Sequence, residues 1–150
     1  MALLSSYPHA RQSEGWRAKS KKIQFWRNNM GSFSKRILVV DDDEGILDSF
    51  EVLLGDRYDL VKAENGYEAL RILDADPPHL MFLDIKMPGL NGIDILKKLR
   101  EDRKEVGVVV ITATDQEKTE EEAKSLGVIV YLKKPLDIFE VERIASQVLS

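Results

Sequence analysis

The sequence predicts an α/β fold: a doubly wound, five-stranded parallel sheet with helices on both faces. Apolar runs of strand length recur without a wet face: Ile37-Leu38-Val39-Val40, Leu80-Met81-Phe82-Leu83, Val108-Val109-Val110-Ile111 and Val128-Ile129-Val130-Tyr131-Leu132. Strands apolar at every position suit a parallel sheet covered on both faces. Segments with apolar residues at helical spacing separate these runs, and strand–helix alternation gives right-handed crossovers with helices on both faces. Each run also stops abruptly on polar residues, at the edge where open α/β sheets place their ligands.

In chain order, the first strand covers Arg36 to Val40 and the first helix about Glu44 to Leu54, with Ile46, Leu47, Phe50, Leu53 and Leu54 at helical spacing. The second strand, Asp59 to Ala63, is short and mixed with charge, as an edge strand is. Gly66 opens the second helix, Ala69, Leu70 and Leu73 face inward, and Pro77-Pro78 ends it. The third strand reaches Asp84, after which Pro88, Gly89 and Gly92 forbid either element from continuing through the turn. A third helix carries Ile93, Leu96 and Leu99, and Gly107 begins the fourth strand. The fourth helix, from about Asp115 to Leu126, is polar nearly all round, with Ala123 and Leu126 as its main anchors, so it is expected to be weakly held. Gly127 ends it. The fifth strand follows, and the last helix places Ile138, Val141, Ile144, Ala145 and Val148 at helical spacing.

The strand ends carry the chemistry. They are Asp41-Asp42-Asp43, Asp84, Thr112 and Lys133-Lys134-Pro135: acids, an acid, a hydroxyl and an ammonium. Singly, each has an ordinary explanation. Asp41 to Asp43 fit a solvated turn and helix cap, Asp84 a structural acid, Thr112 a strand-end filler and Lys134 a surface lysine. Together, at the ends of four buried-type strands, they describe one site.

Composition bounds the function. With 150 residues the chain supports one domain with a real core. It has no cysteine, which excludes disulfides and thiolate metal sites. No apolar run approaches the roughly 20 residues of a membrane span, and Ala2-Leu3-Leu4 is too short for a secretory signal; a cytoplasmic protein without membrane contact is the expectation. Residues 1–36 hold eight Lys or Arg and one Glu, whereas residues 37–150 hold fourteen Lys or Arg and twenty-five Asp or Glu. The body, at −11 against +7 for the leading segment, is a poor candidate for direct nucleic-acid binding. Residues 1–34 read as a basic, disordered arm without sustained periodicity; a surface helix built on Trp16, Ile23 and Trp26 is the sharper alternative. Met30 is a candidate translation start, which would make the first 29 residues upstream or added sequence.

Val40-Asp41-Asp42, Phe82-Leu83-Asp84-Ile85-Lys86-Met87-Pro88-Gly89-Leu90-Asn91-Gly92, Ile111-Thr112-Ala113 and Tyr131-Leu132-Lys133-Lys134-Pro135 agree in order, type and distance with one pattern. From about Lys35 to the C-terminus the chain resembles the response-regulator receiver domain of two-component signalling. The resemblance implies a flavodoxin-like sheet of order 2-1-3-4-5, with the first and third strands adjacent at the switch point. It implies Mg²⁺ (Mn²⁺ as substitute) held directly by Asp42, through water by Asp41, and by Asp84 and the Lys86 backbone carbonyl. Three crowded carboxylates repel and need such a hard cation to offset their charge. Asp84 is then the phosphoacceptor and nucleophile, Lys134 neutralises charge and Thr112 donates to the phosphoryl group. An ammonium about 4 Å from a phosphoryl oxygen is worth on the order of 4 kcal/mol at an effective dielectric near 20. Lys134 is preferred to Lys133 because the family's lysine immediately precedes the proline, whose peptide bond the family holds cis.

The resemblance also implies a Thr112–Tyr131 switch, with Lys86 and Thr114 tuning how long the phosphate lasts. The donor is a sensor histidine kinase or histidine phosphotransfer protein. The face made by the fourth helix, fifth strand and fifth helix serves an unidentified output partner or a homodimer. Neither His9 nor His79 stands in a kinase-like context. A haloacid-dehalogenase-type aspartyl-phosphate phosphatase is an alternative, for which Asp41 and Asp43 fit, but Gly45 stands where Thr or Val is required. A flavodoxin-like binding module lacks its phosphate loop after the first strand. A phosphorylation-independent receiver-like module is the third alternative, against which the complete set of acids and lysine argues.

Overall fold

The computed structural model describes residues 21, 35–113 and 117–150. The expectations for the N-terminal arm and for Thr114 therefore fall outside the described residues, except for Lys21. From Lys35 onward the elements alternate as β1 (Arg36–Val40), α1 (Glu44–Leu54), β2 (Asp59–Ala63), α2 (Gly66–Ala75), β3 (Leu80–Asp84), α3 (Gly92–Glu101), β4 (Gly107–Thr112), α4 (Glu117–Ser125), β5 (Val130–Lys133) and α5 (Ile138–Leu149). All pairings are parallel and the strand order is β2-β1-β3-β4-β5, as the resemblance implied.

Local chemistry starts several helices. The Asp43 side chain accepts from Gly45 N at α1, Asn65 from Glu68 N at α2, Asn91 from Asp94 N at α3 and Asp137 from Phe139 N at α5. Such caps satisfy amide donors that the first helical turn leaves orphaned.

The sheet divides the core in two. Ile37, Val39, Phe82, Val109 and Ile111 pack with Leu47, Phe50 and Leu54 of α1 and Val141, Ile144 and Ala145 of α5. Phe50 and Phe82 meet with ring centroids 5.0 Å apart. Leu38, Val40, Met81, Leu83, Val108 and Val110 face the other way, onto α2, α3 and Ala123 of α4. The three central strands are buried on both sides because period-two alternation delivers one residue to each layer in turn.

Two expectations are corrected. The fifth apolar run is not a buried strand: β5 starts at Val130, lies at the sheet edge and buries only Leu132, while Ile129 is 48% exposed. An edge strand has one neighbour, so composition alone does not bury it. In α5, Ile138 is 53% and Val148 36% exposed; the inward stripe is narrower than the spacing suggested. In α3, Leu96 and Leu99 are buried as expected and Ile93 packs half-buried against the core, with Ile95 fully buried beside them.

α4 is held as thinly as its sequence suggests. Its fully buried side chain is Ala123. Lys97 of α3 pairs with Glu122 at 3.1 Å, and Arg100 donates to Leu126 O at 2.6 Å and Gly127 O at 3.2 Å. Among the described residues no helix is long and apolar enough to cross a membrane.

Candidate functional site

Register assembles the site. Val40 stands opposite Leu83 and Asp84 opposite Ile111, so Asp41 and Asp84 leave neighbouring strands at the same rim. Thr112 pairs with Lys133 at the ends of β4 and β5, and Lys134 N donates to Thr112 O at 2.7 Å. The Lys134–Pro135 peptide bond is cis.

Carboxylate oxygens of Asp41, Asp42 and Asp84 lie within 4.8 Å of one another. Asp41 is fully buried, Asp84 is 3% exposed and Asp42 faces solvent. Lys134 Nζ lies 2.9 Å from Asp41 Oδ2 and 3.2 Å from Asp84 Oδ2. The second contact is a hydrogen bond. The first is an ion pair without a hydrogen bond, so Asp41 Oδ2 lies buried against the ammonium alone. The remaining oxygens are fixed from the backbone: Asp43 N donates to Asp41 Oδ1 and Lys86 N to Asp84 Oδ1, each at 2.9 Å. Thr112 is fully buried beside them. Lys86 is exposed, and Tyr131 is half-buried with its hydroxyl out of solvent.

Burial is the largest influence on Asp84 and raises its carboxyl pKa above the ordinary 3.8. The Lys86 amide works against this, the Asp41 charge adds to it and Lys134 opposes it, but the balance stays upward. For Lys134, burial works against the charge. The contact with Asp41 and the charges of Asp84 and Asp41 outweigh it, and the ammonium is held above 10.5.

These residues fit a hard divalent cation. Three carboxylates against one ammonium leave a formal excess of two negative charges at one rim. All the donors are oxygens, and Asp41 Oδ2 is a buried acceptor without a hydrogen-bond donor. Asp43 is instead the α1 cap, so the acidic triplet divides between cap and cluster. Sequence reasoning passed over Asn65, whose offset from Glu68 is a helix-start signal, and Arg100, for which no local pattern exists.

The sequence model of the response regulator receiver domain matches residues 37–146. The chain is 37% identical over 109 residues to sporulation initiation phosphotransferase F of Bacillus subtilis, covering 72% of this chain and 88% of that protein. It is 34% identical over 117 residues to the alkaline phosphatase synthesis transcriptional regulatory protein PhoP of the same organism. That match covers 77% of this chain but 49% of PhoP, so the chain spans about half of that relative. Among solved structures, the receiver domain protein (CheY-like) of Methanospirillum hungatei matches at a TM-score of 0.72 and 28% identity, over 77% of this chain and 94% of that one. The acidic rim with its lysine, the β2-β1-β3-β4-β5 sheet and these matches give one conclusion: the chain belongs to the response regulator receiver domain family.

Proposed function

We propose that this chain accepts a phosphoryl group on Asp84 from the phosphohistidine of a sensor kinase or histidine phosphotransfer protein. The observation that carries the proposal is the position of Lys134 Nζ, in contact with both Asp41 and Asp84 at the rim. In the transfer an Asp84 oxygen attacks phosphorus, the new O–P bond replaces the donor's N–P bond, and the imidazole nitrogen keeps the electron pair. Positioning and charge neutralisation supply most of the catalysis. Lys86 N and Lys134 Nζ each fix one Asp84 oxygen, which orients the carboxylate before the donor arrives. Asp41, Asp42, Asp84 and the Lys86 carbonyl would hold Mg²⁺, which when bound neutralises charge developing on the phosphoryl oxygens.

The same reading assigns residues 35–150 to the receiver and residues 1–34 to an appended arm. Thr112 donates to the phosphoryl group and Tyr131 turns in response. The α4–β5–α5 face then changes its affinity for an output partner or for a second copy, and the thin anchoring of α4 supports a two-state element there. Lys86 and Thr114 tune phosphoryl lifetime.

Acetyl phosphate with Mg²⁺ tests the reading directly. Intact-mass measurement should find one added phosphoryl group on wild type and none on Asp84→Asn. Steady hydrolysis of acetyl phosphate without an isolable adduct would favour a phosphatase, and no reaction at all would favour a phosphorylation-independent module.

A further inference from the structure

The loop from Ile85 to Asn91 carries the carbonyl proposed to face the cation, and it is pinned at both ends. At its start Lys86 N donates to Asp84 Oδ1 at 2.9 Å. At its finish Gly92 N donates to Ile85 O at 3.2 Å, and a Cβ on Gly92 would come 2.5 Å from Ile85 Cα. Ile85 and Met87 anchor it from below, 4% and 7% exposed. Its outer half, Pro88 to Leu90, includes Gly89 at a φ of 82°.

That outer half rests on α2. A Cβ on Gly66 would stand 2.7 Å from Leu90 O, 2.9 Å from Leu90 Cβ and 3.2 Å from Leu90 Cδ2. Real Cβ atoms essentially never come within 3.0 Å of another heavy atom, so any larger residue at position 66 displaces the loop or the helix. The helix cannot easily yield, because the Asn65 side chain caps it through Glu68 N and Ala69 and Leu73 are buried in the core below. The following residue, Tyr67, places its ring edge 3.9 Å from where a Cβ on Gly89 would be. Glycine at 66 therefore lets the first turn of α2 serve as the outer wall of the loop.

We infer that Gly66 is a positioning residue for the divalent-cation site, acting through Leu90 to hold the β3–α3 loop where the Lys86 carbonyl can reach the ion. This rests on the receiver reading above. Ordinary propensity points the other way, since alanine favours a helix over glycine. A loss on Gly66→Ala is thus not a helix effect.

The experiment compares wild type, Gly66→Ala and Leu90→Ala by calorimetric Mg²⁺ titration and by amide exchange over residues 85–92 in metal-free protein. Gly66→Ala should bind Mg²⁺ about tenfold more weakly, the scale on which groups that orient metal ligands act, and its Lys86 amide should exchange faster. Leu90→Ala, which removes the buttress without adding atoms, should weaken binding several-fold and carries the test if Gly66→Ala does not fold. A lowered unfolding midpoint with wild-type Mg²⁺ affinity makes Gly66 merely structural and overturns the inference. Should wild type itself take up no Mg²⁺, the receiver reading of the site fails. The exchange arm then decides alone: faster Lys86 exchange in Gly66→Ala upholds the positioning and equal exchange overturns it.

Discussion

Lys134 Nζ lies 3.2 Å from Asp84 Oδ2, although the two residues are fifty positions apart and leave strands that are not neighbours. β4 stands between β3 and β5, so the lysine side chain crosses the end of β4 to reach the acids. Only a long, flexible side chain spans that gap, and its ammonium meets Asp41 and Asp84 together.

Lys134→Met should expose how much the acids depend on this contact. The variant leaves Asp41 and Asp84 buried beside each other without their cation, and unpairing a buried charge costs several kcal/mol. Because Lys134 keeps 21% of its side chain exposed, the loss should be smaller here, about 2 kcal/mol. Urea denaturation at pH 7 should show it, and the deficit should shrink as falling pH protonates Asp84, whose pKa is raised by burial. A Lys134→Met protein as stable as wild type at pH 7 would contradict the reading.

Asp84→Asn should have the opposite effect on stability. Asp84 has a folded-state pKa above its unfolded value of 3.8, chiefly through burial. A carboxyl raised in this way contributes stability below 3.8 that is lost as pH rises through the folded value. The amide carries no charge, so the variant should be the more stable protein at pH 7, and the difference should vanish below about pH 3.8. Thermal melts from pH 3 to 8 would reveal a contrary ordering.

Mg²⁺ should relieve the same repulsion. A ligand at ten times its Kd stabilises the state that binds it by about 1.4 kcal/mol. Melting temperature should therefore rise with Mg²⁺, fall back on chelation and respond much less in Asp42→Asn. An equal response in that variant would remove Asp42 from the ligand set.

The exposed Lys86 side chain follows the acceptor by two residues and is long enough to cover a phosphoryl group. Lys86→Ala should lose its phosphoryl group severalfold faster than wild type, because the shortened side chain leaves phosphorus open to the attacking water. Decay of the isolated phosphoprotein gives the answer, and equal or slower loss from the variant would refute it.

Arg100→Ala should loosen α4. Removing the guanidinium strips charge-assisted donors from Leu126 O and Gly127 O, for a loss of about 1–2 kcal/mol. Hydrogen exchange should rise across residues 117–127 while the β1 and β3 amides stay protected. Unchanged exchange in α4 would show that Lys97–Glu122 and Ala123 suffice to hold it.

The runs at Ile37, Leu80 and Val108 were legible because a strand buried on both faces must be apolar at every position, and each becomes a central strand. The run at Val128 has the same composition and lies at an edge, since what differs is the number of neighbours. Likewise Ile138 shares helical spacing with Val141, yet it stays 53% exposed on a groove it lines with Ile46 and Leu53 while Val141 is buried. In the site, polar residues at strand ends marked Asp41, Asp84, Thr112 and Lys134. Gly66 and Arg100 carried no such mark, because their roles depend on Leu90, Leu126 and Gly127 in other elements.

The sequence by itself determined the class of fold, the alternation of its elements and the rim on which its polar residues gather. Local periodicity and chain-breaking residues act over a few positions and are written in order. Only the tertiary structure decided how far β5 and the flanks of α5 are covered, how Lys134 crosses β4 and how closely Gly66 approaches Leu90. Those follow from strand order, register and steric contact between distant residues, and they exist only once the chain has packed.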